Sequence, residues 1–441
     1  MAFDEQSVID FVTRQRWYGA KSRAVAHSEV LESVELRTTE PRFTLELVEL
    51  RYETGAHDIY QLVHGEEEID GLDDPAAARE LVHAMRSGLT LQGSEGSVEF
   101  RRVEGFAGLG RELAEARSVG AEQSNTSLVF DDELILKVFR RLEPGINPEL
   151  EMLRFLTEHG FANIAALGGW YAYSGGPMSA TLGILQQYVS DGLDGWELAL
   201  QEIADDPEQF LTRLRRLGEV TGEMHTILGS DLSDPCFCPE TPSVESLGLL
   251  TATVDEEIES VFLALPEDDD RLEPILGRGE EVREQLRLLT HSGSIGKAIR
   301  THGDYHLGQT LFSDGDWVIL DFEGEPARAV VDRRRKRSPL RDVAGMLRSF
   351  AYAAIAAELE RSTPAPEGWE EQAREQFLEG YLDTVDTSLL PSGGIAIDRL
   401  LAVFELEKAV YELRYELDNR PEWVRIPVAG IQRLIEQAAT I

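Results

Sequence analysis

Asp304 stands between two histidines in the run HGDYHLGQ, His302 to Gln309, directly after Gly303. A carboxylate on a loop that glycine lets bend sharply can take the proton of a substrate hydroxyl, a contribution of roughly 10²- to 10⁴-fold in rate. Gln309, five residues further on, can offer a neutral oxygen to a metal. The apolar run Trp317 to Leu320 then ends in Asp321, and Glu323 and Glu325 follow in DFEGEP. Carboxylates gathered at one mouth repel one another unless a cation neutralises them, and Mg2+ prefers oxygen donors. Gln309, Asp321 and Glu323 are therefore the candidate metal ligands. A base beside a metal site supplies two of the parts that phosphoryl transfer needs, the third being a cation on the phosphates.

Lys137 can supply that cation. The chain has only five lysines, Lys21, Lys137, Lys297, Lys336 and Lys408, and Lys137 lies within an apolar strand pattern, LILKVFR. An ammonium there acts as a point charge on the α- and β-phosphates and needs a carboxylate partner when buried. Glu149 and Glu151 on the following helix are the candidates, and Glu151, which opens the helix interior, is the expected one. Upstream, Gln123 to Ser127 (QSNTS) reads as a turn between strands, where Ser124, Asn125 and Thr126 can present amides and hydroxyls to phosphate. No GxGxxG or GxxxxGK[ST] loop lies in this stretch. Each residue also has a plainer reading, as a helix cap, a snorkelling lysine or an exposed acidic hairpin.

The elements that must position these groups follow from periodicity. A short helical start (Phe3 to Arg16) precedes alternating segments at Arg42 to Tyr52 and Asp58 to His64, and helical spacing returns at Asp74 to Gly88. A second β-rich stretch runs through Val98 to Val103, Ala114 to Val119, Ser127 to Phe130 and Glu133 to Phe139, with Asp131 and Asp132 at a tight turn. A helix from Pro148 to Gly160 and a strand pair, Trp170 to Tyr173 and Thr181 to Tyr188, come next. From Gly195 the pattern is mainly helical, interrupted by the polar hairpin Gln309 to Asp321. The expected fold class is α+β, with a cap at 1–92, a mainly antiparallel nucleotide lobe at 93–190 and a helical lobe at 191–441.

Composition narrows the partners. A formal charge of -39 argues against nucleic acid or an anionic membrane surface as a partner, since either requires a basic footprint. The one basic run, Arg333 to Arg337 (RRRKR), is expected to be a solvated loop. Cys236 and Cys238 are too close for an ordinary disulfide framework and read as incidental thiols. No apolar run reaches a membrane span and the acidic start lacks a signal-peptide pattern, so a cytoplasmic location is expected.

The order of turn, strand lysine, helix glutamate, HGD loop and aspartate after a strand resembles the aminoglycoside phosphotransferase branch of the protein-kinase-like fold, whose loop is HGDxHxxN. Gln309 departs from that pattern at the Asn position. Within that branch the chain is similar to bacterial maltokinases through RWYGAKSR (Arg16 to Arg23), EQSNTSLVF (Glu122 to Phe130), LILKVFRRLEPGINPELE (Leu134 to Glu151), ILDFEGEP and SPLRDVAGMLRSFAYAA (Ser338 to Ala354). The resemblance implies a bilobal kinase with an N-terminal α/β cap that moves the γ-phosphoryl of ATP to the anomeric hydroxyl of maltose. It implies Asp304 as base, Mg2+ on Gln309 and Asp321, and Lys137 with Glu151 on the phosphates. Backbone groups of Gln187 and Val189 would meet adenine.

For the sugar, His306 and Arg341 join a C-terminal set. Glu407, Tyr411, Arg414, Tyr415 and Asp418 recur at helical spacing, Glu412 flanks them, and Trp423 follows. The same residues can equally form an amphipathic helix with its tyrosines in the core. A monomer or weak homodimer acting on a small sugar is expected, and glucosamine is the alternative acceptor.

Overall fold

A computed structural model describes residues 4–66, 68–72, 74–110, 113–119, 125–176, 178–290, 295–325 and 328–438. The chain divides into two compact units, Met1–Asp191 with Arg328–Val330, and Gly192–Ala327 with Val331–Ile441.

The first unit opens with α1 (Glu5–Arg14), capped by Asp4, whose carboxylate accepts from the Ser7 N–H. Strands β1 (Val25–Arg37), β2 (Phe43–Tyr52) and β3 (His57–His64) follow as an antiparallel meander. Val8 and Val12 of α1 pack with Trp17, Tyr18, Tyr52 and Tyr60 on one face of that sheet. The sequence does not announce β1, because three register shifts break its alternation and only Glu32 and Val34 of its residues are buried.

Helix α2 (Pro75–Ser87) ends at Gly88 in the left-handed conformation. A seven-stranded sheet then forms from β4 (Thr90–Gln92), β5 (Gly96–Arg102), β6 (Ala116–Val119), β7 (Asn125–Phe130) and β8 (Leu134–Phe139) with two strands introduced below. Asp131 and Asp132 both take positive φ, 50° and 52°, at the turn between β7 and β8. The short β9 (Arg141–Leu142) pairs with β3, so chain that follows the seven-stranded sheet's β8 completes the sheet of the N-terminal meander. Helix α3 (Pro148–Glu158), β10 (Leu167–Gly175) and β11 (Ser179–Gln187) finish the unit, with β11 between β10 and β8. Buried Gln61 of β3 fastens cap to lobe by donating to the Phe139 and Leu182 carbonyls at 3.0 and 2.8 Å.

The second unit is mainly helical. It begins with β12 (Leu193–Asp194), α4 (Gly195–Asp205), α5 (Pro207–Leu228), α6 (Val244–Leu263) and α7 (Gly279–Thr290). The hairpin β13 (Thr310–Ser313) and β14 (Asp316–Ile319) pairs with β12 to make a small three-stranded sheet. A single turn α8 (Val330–Arg333), then α9 (Leu340–Arg361), α10 (Trp369–Thr384), α11 (Gly394–Asn419) and α12 (Arg425–Ala438) complete it. Helices α5 and α10 touch backbone to backbone, since a Cβ on Gly218 would lie 2.0 Å from the Phe377 carbonyl oxygen. One apolar core joins α6, α7, α11 and α12 through Val254, Ile258, Leu286, Leu406, Leu413 and Ile431.

The basic run is not a solvated loop. The side chains of Arg333 and Lys336 are each only 8% exposed. Arg333 donates to the Glu323 carbonyl at 3.2 Å, and Lys336 pairs with Glu240 at 2.7 Å. Cys236 is exposed and Cys238 half-buried, both as free thiols. Among the described residues no helix is long and apolar enough to cross a membrane.

Candidate active site

The loop carrying Asp304 is held by a carboxylate that the sequence reading left without a role. Asp342, on the first turn of α9 and buried, accepts from the His302 N–H at 2.7 Å and the Gly303 N–H at 3.0 Å. Burial by itself would raise its pKa. The His225 hydrogen bond at 3.2 Å foremost, with the Gly303 N–H, outweighs that, and Asp342 sits below its ordinary value. Gly303 takes φ +89°, a conformation that a side chain would strain.

The rest of the loop is tied with similar care. The Asp304 N–H donates to His302 Nδ1 at 3.4 Å, which leaves Nε2 as the protonated nitrogen, donating to the Leu320 carbonyl at 2.7 Å. Tyr305 is fully buried and meets the Thr221 hydroxyl of α5 at 2.9 Å. His306 Nδ1 accepts from the Gly308 N–H at 3.1 Å, and burial foremost lowers its pKa, so the ring is neutral with Nε2–H available as a donor.

The metal candidates Gln309 and Asp321 are brought together. Leu320 donates its N–H to the Gln309 carbonyl at 2.9 Å, and Gln309 Nε2 lies 3.4 Å from Asp321 Oδ2, leaving the amide Oε1 for a cation. Strand β14 stops at Ile319, and Asp321 itself adopts φ +58°, an uncommon conformation for a non-glycine residue. Glu323 is two residues beyond, its carboxylate 4.0 Å from Arg333. These are hard oxygen donors of the kind Mg2+ takes.

The same unit holds a cavity of about 480 Å³, lined by Asp304 and His306 of the loop, Trp196 of α4, Arg348 and Tyr352 of α9, and Lys408, Tyr411, Glu412, Tyr415 and Glu416 of α11. Trp423 and Arg420 close it beyond the helix end. Tyr411 and Tyr415 are 42% and 45% exposed, so they are not core tyrosines. Tyr352 and Trp423 stack at 6.1 Å.

The expected stripe on α11 is corrected in phase. Positions 408, 411, 412, 415 and 416 face the cavity, whereas Glu407, Arg414 and Asp418 do not line it. Arg341 is also outside the lining, paired with Glu407 and lying over the Phe404 ring at 5.0 Å. Trp196, Arg348, Tyr352, Lys408, Glu416 and Arg420 were missed. For α9 a signal existed in the Gly345, Arg348, Ser349, Tyr352 spacing of the SPLRDVAGMLRSFAYAA segment.

In the first unit, Lys137 is buried in β8 and pairs with Glu149 at 2.9 Å, the alternative that the sequence offered beside Glu151. Asn147 caps α3 by accepting from the Glu149 N–H at 2.8 Å, so Glu149 sits in the first turn with its side chain fixed close to the lysine. Ser124 lies outside the described residues. Asn125 and Thr126 open β7, and the Thr126 hydroxyl accepts from Arg140 Nε at 2.7 Å. At the end of β11 the Gln187 N–H is spent on the Ala166 carbonyl at 2.9 Å, so only its carbonyl could serve a nucleotide, and Val189 follows half-buried.

With this geometry in place, residues 115–325 match the model of the phosphotransferase enzyme family and residues 11–90 match the maltokinase N-terminal cap domain. The chain is a phosphotransferase of the kinase-like fold with a maltokinase-type cap. It is 26% identical over 349 residues to a glucosamine kinase of Streptacidiphilus jiangxiensis, spanning 76% of each chain. To a glucosamine kinase of Mycolicibacterium smegmatis it is 24% identical over 337 residues, 74% of this chain and 80% of that one. The solved glucosamine kinase bound to glucosamine, ADP and inorganic phosphate superposes with a TM-score of 0.75 at 20% identity, covering 96% and 98% of the two chains. At that identity the likeness shows a shared fold.

Proposed function

We propose that this phosphotransferase is an ATP-dependent maltokinase, giving maltose 1-phosphate and ADP for α-glucan synthesis. The observation that carries the reading is the acceptor cavity, where the base Asp304 shares one 480 Å³ space with Tyr352, Tyr411, Tyr415 and Trp423. Sugars are held by aromatic faces and by hydrogen bonds from fixed polar groups, and a row of four such rings offers room for more than one pyranose. The maltokinase-type cap supports the same reading.

In the reaction, Asp304 accepts the proton of the anomeric hydroxyl as its oxygen attacks the γ-phosphorus, and the bond to the bridging oxygen of ADP breaks. His306 Nε2–H would donate to a sugar oxygen. Lys137, oriented by Glu149, would hold the α- and β-phosphates, with the Gln187 carbonyl and Val189 N–H toward adenine. Gln309, Asp321 and Glu323 would hold Mg2+, which when bound offsets the charge on the transferring phosphoryl group. The protein would act in the cytoplasm as a monomer or weak homodimer.

A glucosamine kinase is the second reading, favoured by the names of the relatives above. A panel of maltose, glucose and glucosamine with ATP and Mg2+ separates the two. The expected result is a kcat/KM for maltose at least about tenfold above the others, or about 1.4 kcal/mol. Preference for glucosamine overturns the maltose assignment.

A further inference from the structure

Lys408 stands out among the charged groups of the acceptor cavity. Two of the three carboxylates there are already committed to arginine. Glu412 accepts from Arg348 Nε at 3.0 Å and Nη2 at 2.7 Å. Glu416 accepts from Arg420 Nε at 2.9 Å, from its Nη2 at 2.6 Å, and from the Tyr352 hydroxyl at 3.0 Å. Both pairs are charge-assisted, the Arg420 pair forked across the two Glu416 oxygens and the Arg348 donors converging on Glu412 Oε2, so an incoming ammonium does not displace them easily. The third carboxylate, Asp304, must face the reacting hydroxyl. Lys408 remains, and among the described residues its ammonium makes no hydrogen bond or ion pair.

Its placement beside the loop depends on Gly345 of α9. A Cβ there would lie 2.6 Å from the Tyr305 carbonyl oxygen and 3.2 Å from Lys408 Nζ, so the glycine lets the loop backbone come close to α9 with the ammonium beside it. The charge is felt at His306, which also lines the cavity.

We propose that Lys408 is the charge filter of this cavity: its ammonium donates to a neutral sugar hydroxyl and excludes acceptors that carry an ammonium of their own. The inference deepens the maltokinase reading and rests on it. A site for a cationic amino sugar would offer an uncommitted carboxylate, and this cavity offers an uncommitted cation instead. Two like charges about 5 Å apart in a partly desolvated cavity repel enough to cost on the order of 10²-fold in binding.

The test uses the full chain and its Lys408→Met, Lys408→Gln and Lys408→Arg variants, with glucose and glucosamine as competitors against maltose phosphorylation. Those two sugars share a ring and differ at one substituent, so the ratio of their inhibition constants reads charge rather than size. The wild type should bind glucose at least about tenfold tighter than glucosamine. Both neutral variants should shrink that ratio by about tenfold or more, and Lys408→Arg should restore it. Raising the pH, which discharges the glucosamine amine, should improve glucosamine binding more in the wild type than in Lys408→Met. An unchanged ratio in folded Lys408→Met and Lys408→Gln overturns the filter while leaving maltose as substrate. A wild type that phosphorylates glucosamine in preference to maltose overturns the substrate reading itself, and the filter with it.

Discussion

The candidate catalytic loop and the cavity wall on α11 lie in the same unit yet are built by opposite means. The loop from His302 to Gln309 is held largely through its backbone: two of its N–H groups go to buried Asp342 and that of Leu307 goes to the Ser349 hydroxyl at 3.3 Å. The wall is held by long side chains on α11 that pair with α9, Glu412 with Arg348 and Glu416 with Tyr352. A base has to stay within a few tenths of an ångström of its proton, and short bonds to buried backbone give that precision. A sugar surface has to present a pattern of rings and charges, and side chains on one helix face can be exchanged without moving the backbone.

If that contrast holds, changes in the loop and its anchor should strike the rate, and changes in the wall should strike sugar affinity. The largest effect is expected from Asp304→Asn, which should lower kcat by roughly 10²- to 10⁴-fold with an unchanged melting temperature. Retained activity would remove Asp304 as the base.

Next comes Asp342→Ala, which leaves two loop N–H groups and His225 without their buried acceptor. Stability should fall by about 3 kcal/mol, and kcat should drop with little change in sugar KM. Because the Asp342 pKa is depressed, its stabilisation is complete above the ordinary value of 3.8 and is lost as pH falls through the lower folded value. Acid unfolding followed by circular dichroism should therefore be shallower in Asp342→Asn than in the wild type.

On the phosphate side, Glu149→Gln should raise the KM for ATP about tenfold and more than Glu151→Gln does, because the 2.9 Å pair belongs to Glu149. The reverse order would restore the partner that the sequence suggested. The smallest effect is expected from Trp423→Ala. It should raise the maltose KM several-fold while leaving kcat and the KM for ATP alone, since one stacked ring is worth about 1 kcal/mol. A kcat loss there would blur the division between loop and wall.

Contiguous features were legible in the chain. HGDYHLGQ, the strand lysine Lys137 and Asp321 after an apolar run are each local patterns, and α9 over Leu340–Arg361 has the bounds that its periodicity predicts. The strand β1 was not legible, because a half-exposed strand with bulges carries no clean period of two. Helical spacing near Tyr411 showed that the residues share one side, but not which side.

What the sequence determined by itself is therefore the set of candidate reacting groups and the periodicity of the elements that carry them. Tertiary structure decided the rest. It set Glu149 beside Lys137, because the Asn147 cap fixes where the first turn of α3 begins. It turned α11 so that Lys408, Glu412 and Glu416 enter the cavity, because the buried Leu406, Ala409, Val410 and Leu413 claim the opposite face. It also recruited Asp342 to a loop 39 residues earlier in the chain. Such choices depend on packing between distant segments, and no local pattern of residue types records them.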